Sequence, residues 1–175
     1  MLLPAIYKKE ELLKAYDRLR YSDDLIYYQG CIEDGRLYIQ GENDSTFGCF
    51  QYAICDKDEN VVGYLAYHID YYSSSLFNVG LINFTKDKRS YMPIAGAVLK
   101  LIEEGKALNR VEFRAIEGNP AITFYDKAFN YFKDKGYVTR KLMLVEVFKD
   151  RKGKYHNDYI YEFVKDHTLE LWGKF

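Results

Sequence analysis

Two strand-like runs, LFNVGLINF at 76–84 and VEFRAI at 111–116, flank a stretch that reads as a helix, and that order narrows the folds open to this chain. Pro93 suits the first helical position. Ile94, Ala97, Val98 and Leu101 follow at i, i+3, i+4 and i+7 spacing, and Gly105 ends the run. A helix set between two strands is a crossover, so the sheet contains a parallel or mixed element. Ahead of it, FGCFQYAIC (47–55) and VVGYLAYHI (61–69) read as a hairpin about the turn DKDEN, and LFNVGLINF as a third antiparallel strand. All three are apolar on both faces, as expected when helices cover both sides of a sheet.

The flanking regions complete the plan. Residues 8–20 place Leu12, Leu13, Tyr16 and Leu19 on one face of an amphipathic helix. IYYQGCI (26–32) and RLYIQ (36–40) read as extended pieces around Glu33-Asp34-Gly35, and GENDST (41–46) as a loop. After the strand ending at Ile116, a helix is expected from Asn119-Pro120, with Ala121, Tyr125, Ala128, Phe129 and Phe132 on one stripe. Gly136 can take its left-handed stop. YVTRKLMLVEVF and KYHNDYIYEFV then form a closing hairpin about KDRKG, and Trp172 is expected to fix the tail against the domain or a partner subunit. The fold class is α/β, with a mixed, mostly antiparallel central sheet flanked by helices in a single domain.

Composition excludes several function classes. At 175 residues the chain fits one hydrophobic core. A net charge of −1, from 25 basic and 26 acidic side chains, argues against a nucleic-acid binder, which needs a concentrated basic face. No apolar run approaches the ~20 residues that span a bilayer, so no membrane role is expected. The start MLLPAIYKKEE is too short and too soon charged for a signal peptide. Cys31, Cys49 and Cys55 show no paired spacing and read as thiols of a reducing cytoplasm. His68, His156 and His167 lie too far apart for a local metal motif, so no metal is expected.

Candidate chemistry gathers around residues 83–125. Unpaired N–H groups at a helix N-terminus bind phosphate, and residues 87–92 ahead of Pro93 are placed for that, with Lys88, Arg89 and Ser90 as further donors. An ordinary polar loop would read the same way. Asn119 is a good helix cap, which alone explains it, and a capping Asn can also touch a ligand. Tyr125 is either a core tyrosine or a proton donor to a thiolate, since phenol and thiol pKa values lie near ~10 and ~8.5. Glu112, Glu117, Asp70 and His68 are candidates for a base. Val79-Gly80 allows local distortion of its strand.

From Phe47 to about Val164 this order resembles the GNAT superfamily of N-acyltransferases. Three features carry the resemblance: NVVGYLAY as the family's third strand, Asn119-Pro120-Ala121 with Tyr125 after the fifth, and the final GKYHNDYIYEF. One departure concerns the pyrophosphate loop, Arg/Gln-x-x-Gly-x-Gly/Ala in the family; here Tyr91 and Ile94 take the first two defined positions and only Gly96 matches. The resemblance implies direct transfer of an acetyl group from acetyl-CoA to a primary amine in a ternary complex. Tyr125 would be the acid and Glu117 a candidate base. Phe84 and Thr85 would orient the thioester, with an oxyanion held by an N–H near Asn83 or Phe84. Lys88, Arg89 and Ser90 would hold pyrophosphate, and Asn119, Phe124 and Tyr125 would line the pantetheine arm. The acceptor, a small-molecule or peptide amine, would sit between Tyr71-Tyr72 and the 21–46 segment, and a homodimer is an open option. The alternative is a catalytically inactive GNAT-fold binding or assembly module.

Overall fold

The computed structural model describes residues 1–31, 37–41, 47–85 and 90–166. Lys88, Arg89, the Glu33-Asp34-Gly35 turn and Trp172 lie outside them. Among the described residues seven strands form one sheet: β1 (Leu2–Pro4), β2 (Cys49–Cys55), β3 (Val61–Asp70), β4 (Ser75–Asn83), β5 (Arg110–Ile116), β6 (Tyr137–Lys149) and β7 (Tyr155–Lys165), in spatial order β1-β2-β3-β4-β5-β7-β6. Only β4 and β5 run parallel; every other pair is antiparallel. The parallel pair is the one joined through a helix, as a crossover requires.

Helices α1 (Lys9–Arg20), α2 (Tyr91–Lys106) and α3 (Ile122–Asp134) cover the sheet. On the α1 face Leu12, Tyr16, Leu37 and Ile39 pack on Tyr64 and Ile82. On the opposite face Ala97 and Leu101 of α2, with Tyr125 and Phe132 of α3, pack on Leu65, Leu76, Phe113, Tyr161 and Phe163. Apolar side chains on both faces of the inner strands are what make this double cover favourable. Among the described residues no helix is long and apolar enough to cross a membrane.

Three local expectations change. The piece 26–32, expected to be extended, falls largely within a 3-10 helix, Asp23–Cys31. Ile26 is buried and Tyr27 beside it also turns inward, an arrangement that strand alternation forbids. α2 starts at Tyr91, which puts Pro93 at its third position rather than its first. α3 starts at Ile122 rather than Asn119, because the Asn119 Oδ1 accepts the Ala121 N–H at 2.9 Å and holds a turn around Pro120. Gly136, with φ of 83°, stops α3 as expected. β1 was not anticipated; three residues ending in Pro4 add an edge strand to β2.

Candidate functional site

β4 and β5 pair at only two positions, Ser75 with Arg110 and Leu76 with Val111. Immediately beyond, β4 carries an extra residue: Ala66 pairs with Gly80 and His68 with Phe77, so Asn78 and Val79 together oppose Tyr67. Asn78 takes φ of 50°, a left-handed conformation that Asn tolerates better than most side chains. Such a bulge bends its strand and increases the local twist. From there to Asn83, β4 has no pairing with β5, and a wedge opens between them.

The bulge also sets which backbone groups face that wedge. The Phe84 N–H donates to the Val62 carbonyl at 3.0 Å, so the even-numbered amides of upper β4 belong to the β3 ladder. Alternation along a strand turns the N–H groups of Leu81 and Asn83 the other way, toward the gap.

Residues from both faces of the sheet line the wedge, a cavity of about 90 Å³. Leu81, Ala115 and Tyr125 contribute an apolar wall on the α2–α3 face. Glu112, Arg114, Asp158 and Phe148 contribute a mostly polar wall on the other, with Tyr27 from the 3-10 segment over it. Asn119 stands at the rim, where its Nδ2 donates to the Tyr27 carbonyl at 3.4 Å. One asparagine thus ties the entry to α3 to the segment that roofs the polar wall.

Tyr125 is 8% exposed. Its ring stacks on Phe113 at 5.6 Å and meets Tyr161 at 5.8 Å, which fixes the phenol against the cavity. Across the gap Asp158 is 1% exposed, and Arg114 donates to its Oδ2 through Nε at 3.0 Å. A buried carboxylate costs several kcal/mol unless a cation and hydrogen bonds compensate it. Arg114 supplies both while its own side chain stays about half exposed, at 47%. Glu112 receives Nη2 of Arg110 at 3.0 Å, and Arg110 also reaches Glu162 at 2.7 Å.

Of the residues expected to serve the site, Asn119 and Tyr125 come together at the cavity. Phe124 does not line it; its ring is 40% exposed and edges against Tyr125. Glu117 lies outside the lining and accepts the Asn157 N–H at 3.2 Å in the neighbouring turn. The Phe84 amide is already paired with β3, and its side chain packs into the α1-face core, so the open edge is at Leu81 and Asn83. Thr85 donates its N–H to the Asn83 side chain at 3.1 Å. Ser90 is fully buried and its hydroxyl donates to the Thr85 carbonyl at 3.3 Å, which turns it inward rather than toward a phosphate. Gly96 lines a separate apolar groove with Met1, Leu2 and Met92. Tyr71 and Tyr72 sit at the β3–β4 turn, beside the closed end of the wedge.

Sequence reasoning placed the 21–46 segment at the acceptor without singling out Tyr27, and missed Asn78, Arg114, Phe148 and Asp158. Asp158 had a signal: it is a carboxylate at an inward position of the strand run YHNDYIYEF.

No family model and no curated protein sequence matches the chain. Solved structures do. A probable GNAT-family acetyltransferase from Chromobacterium violaceum superposes with a TM-score of 0.59 at 17% identity, over 94% of this chain and 81% of that one. The protein smu.2055 from Streptococcus mutans gives 0.57 at 17% identity, over 94% and 98%. A spermidine/spermine N-acetyltransferase from Vibrio cholerae gives 0.50 at 16% identity, over 73% and 71%. The chain has the GNAT fold. At such identities the likeness speaks for the fold alone.

Proposed function

We propose that this GNAT-fold protein is an acyl-CoA-dependent N-acyltransferase that moves an acetyl group to a primary amine. The observation that carries the reading is the parting of β4 from β5 with Tyr125 on the apolar wall. A pantetheine arm is a chain of amides and methylenes. It fits a slot with an apolar side and a strand edge whose N–H groups point inward, because it can pair with that edge as a further strand would.

Bound acetyl-CoA would supply an activated thioester. The N–H groups of Leu81 or Asn83 would hold the carbonyl oxygen as negative charge develops on it. Glu112, directly or through water, would accept the proton that the amine must lose; it lines the gap, whereas Glu117 stands outside it. As the new N–C bond forms and the C–S bond breaks, the Tyr125 hydroxyl would give its proton to the departing sulfur. Arg114, bonded to Asp158, would hold the polar wall rigid. Asn119 would hold the rim, and the start of α2 would offer the amides of Tyr91 and Met92 toward pyrophosphate, Pro93 having none.

Thiol release from acetyl-CoA, measured over a panel of primary amines, tests the proposal. Turnover with at least one amine is expected. Stabilisation by CoA without turnover for any amine would favour the non-catalytic binding module, and neither effect at millimolar ligand would remove both readings.

A further inference from the structure

The two edges of the sheet are built differently. β1 gives one edge three residues ending in Pro4, which has no N–H to offer a neighbour. β6 gives the other edge 13 residues without a proline, and no strand lies outside it among the described residues. Val138, Leu142, Met143, Leu144, Val145 and Val147 of this strand are 39–66% exposed. Leu142 and Met143 are consecutive and point to opposite faces, so the strand is open on both sides of the sheet there. Single exposed apolar residues are ordinary on a surface. A contiguous run of them on an unpaired edge is not.

The order of charges around that run indicates what completes it. Residues 140–146 read RKLMLVE: two cations, four apolar side chains, then a carboxylate. Two copies of such a segment complement each other when antiparallel, apolar run on apolar run and Arg140 toward the partner's Glu146. A two-fold axis through Met143 does this and sets Leu142 beside the partner's Leu144. A parallel copy would lay cation on cation. The charges are available for the contact. Glu146 is exposed and pairs with no cation among the described residues. Lys141 is held by Asp126, but Arg140 reaches Glu162 only at 3.3 Å, where Arg110 already bonds at 2.7 Å.

β6 also carries the means to end the pairing. Leu144 pairs with Asp158 and Phe148 with His156, so Asn157 alone opposes Val145, Glu146 and Val147. In this bulge Glu146 takes φ of 52°, and its N–H donates to the Asn157 side chain at 3.0 Å. A bulge bends its strand, which limits the contact to the run ahead of it. We propose that β6 is the interface of a two-fold symmetric homodimer, the stretch 140–146 of one copy lying antiparallel to that of a second. The pairing uses the long edge of each copy and leaves the short, proline-ended β1 outermost, so the assembly closes at two. It does not depend on the acyltransferase reading.

Sedimentation velocity on the full chain at micromolar concentration tests the assignment, with circular dichroism to follow folding. A species of twice 20.6 kDa is expected. Arg140→Glu and Glu146→Arg should each raise the dissociation constant by about tenfold or more, because each change acts twice about the axis. Combined, they restore opposite charges, and the dimer should recover. Leu142→Asp should give a folded monomer, whereas Leu99→Asp, at an exposed apolar position on α2, should leave the dimer intact. The charge reversals decide the question should Leu142→Asp fail to fold. A monomeric unaltered protein overturns the proposal, whether the edge stands bare or the chain's own residues 167–175 cover it. So does a dimer that Leu99→Asp dissociates, one that neither charge reversal weakens, or a double reversal without recovery. Growth beyond two copies with concentration overturns the closed two-fold arrangement.

Discussion

The two ends of β4 obey different rules. At Ser75 and Leu76 the strand is paired on both sides and its side chains are buried, with Leu76 wholly inaccessible. From Gly80 to Asn83 it keeps β3 and loses β5, and its free edge faces a cavity. The closed end earns stability from burial and ladder bonds, whereas the open end leaves strand donors without a ladder partner. A single extra residue at Asn78 separates the two regimes. Substitutions at the open end should therefore reach activity before stability, and those at the closed end the reverse.

The largest effect is expected at the open end. Tyr125→Phe should lower kcat by about 10²–10⁴-fold, the usual range for a general acid, while the thermal midpoint moves by only a few degrees. Full retention of kcat would remove the acid role and leave Tyr125 as a core aromatic. Leu76→Ala provides the contrast: chemical denaturation should show a loss of about 2–5 kcal/mol, with kcat of the folded protein little changed. A kcat loss as large as that of Tyr125→Phe would mean the two ends are not separable.

Between these lies Asn119→Ala, which removes the contacts to the Ala121 amide and the Tyr27 carbonyl. A cost of about 1 kcal/mol in unfolding free energy is expected, with KM for the acceptor raised because the roof over the polar wall loosens. Unchanged KM would limit Asn119 to shaping the turn.

The smallest effect concerns how α3 is held. The Lys141 ammonium donates to Asp126 at 2.6 Å and the Tyr161 hydroxyl at 3.0 Å, and these bonds pull the Asp126 carboxyl below its ordinary value. A carboxyl whose folded pKa is depressed stabilises the fold above its unfolded pKa, near ~4, and the contribution is lost as pH falls toward the folded value. Asp126 is 45% exposed, so screening keeps this below about 1 kcal/mol. Lys141→Met should flatten the acid limb of stability below about pH 4, and change stability near neutrality by no more than about 1 kcal/mol. An unchanged acid limb would show the pair to be ornamental to stability.

The sequence made the elements legible where one period dominated. The runs at 49–55, 61–70 and 75–83, the crossover helix and the closing hairpin all follow from apolar pattern and turn residues, and so does the parallel β4–β5 pair. What escaped was whatever depended on two distant segments meeting. IYYQ carries the composition of a strand, yet Ile26 and Tyr27 both turn inward because the segment packs across β4 and β5. Asn119 looked like the start of a helix, and its side chain instead spends itself on a turn three residues earlier. Ser90 looked like a phosphate donor until Thr85 was found to claim its hydroxyl. Arg114 and Asp158 are 44 positions apart, and nothing local to either announces the pair. Asn119 and Tyr125 were readable because one short stretch of chain places both at the cavity.

Amide hydrogen exchange along β4, with and without saturating CoA, tests the central claim most directly, since alternate residues act as controls for one another. Gly80 and Ile82, bonded into the β3 ladder, should be protected in both states. Leu81 and Asn83 should exchange faster in the free protein and slow by about tenfold or more when CoA is added. Equal protection of all four without ligand, or no change at Leu81 and Asn83 at millimolar CoA, would contradict a wedge that admits the pantetheine arm.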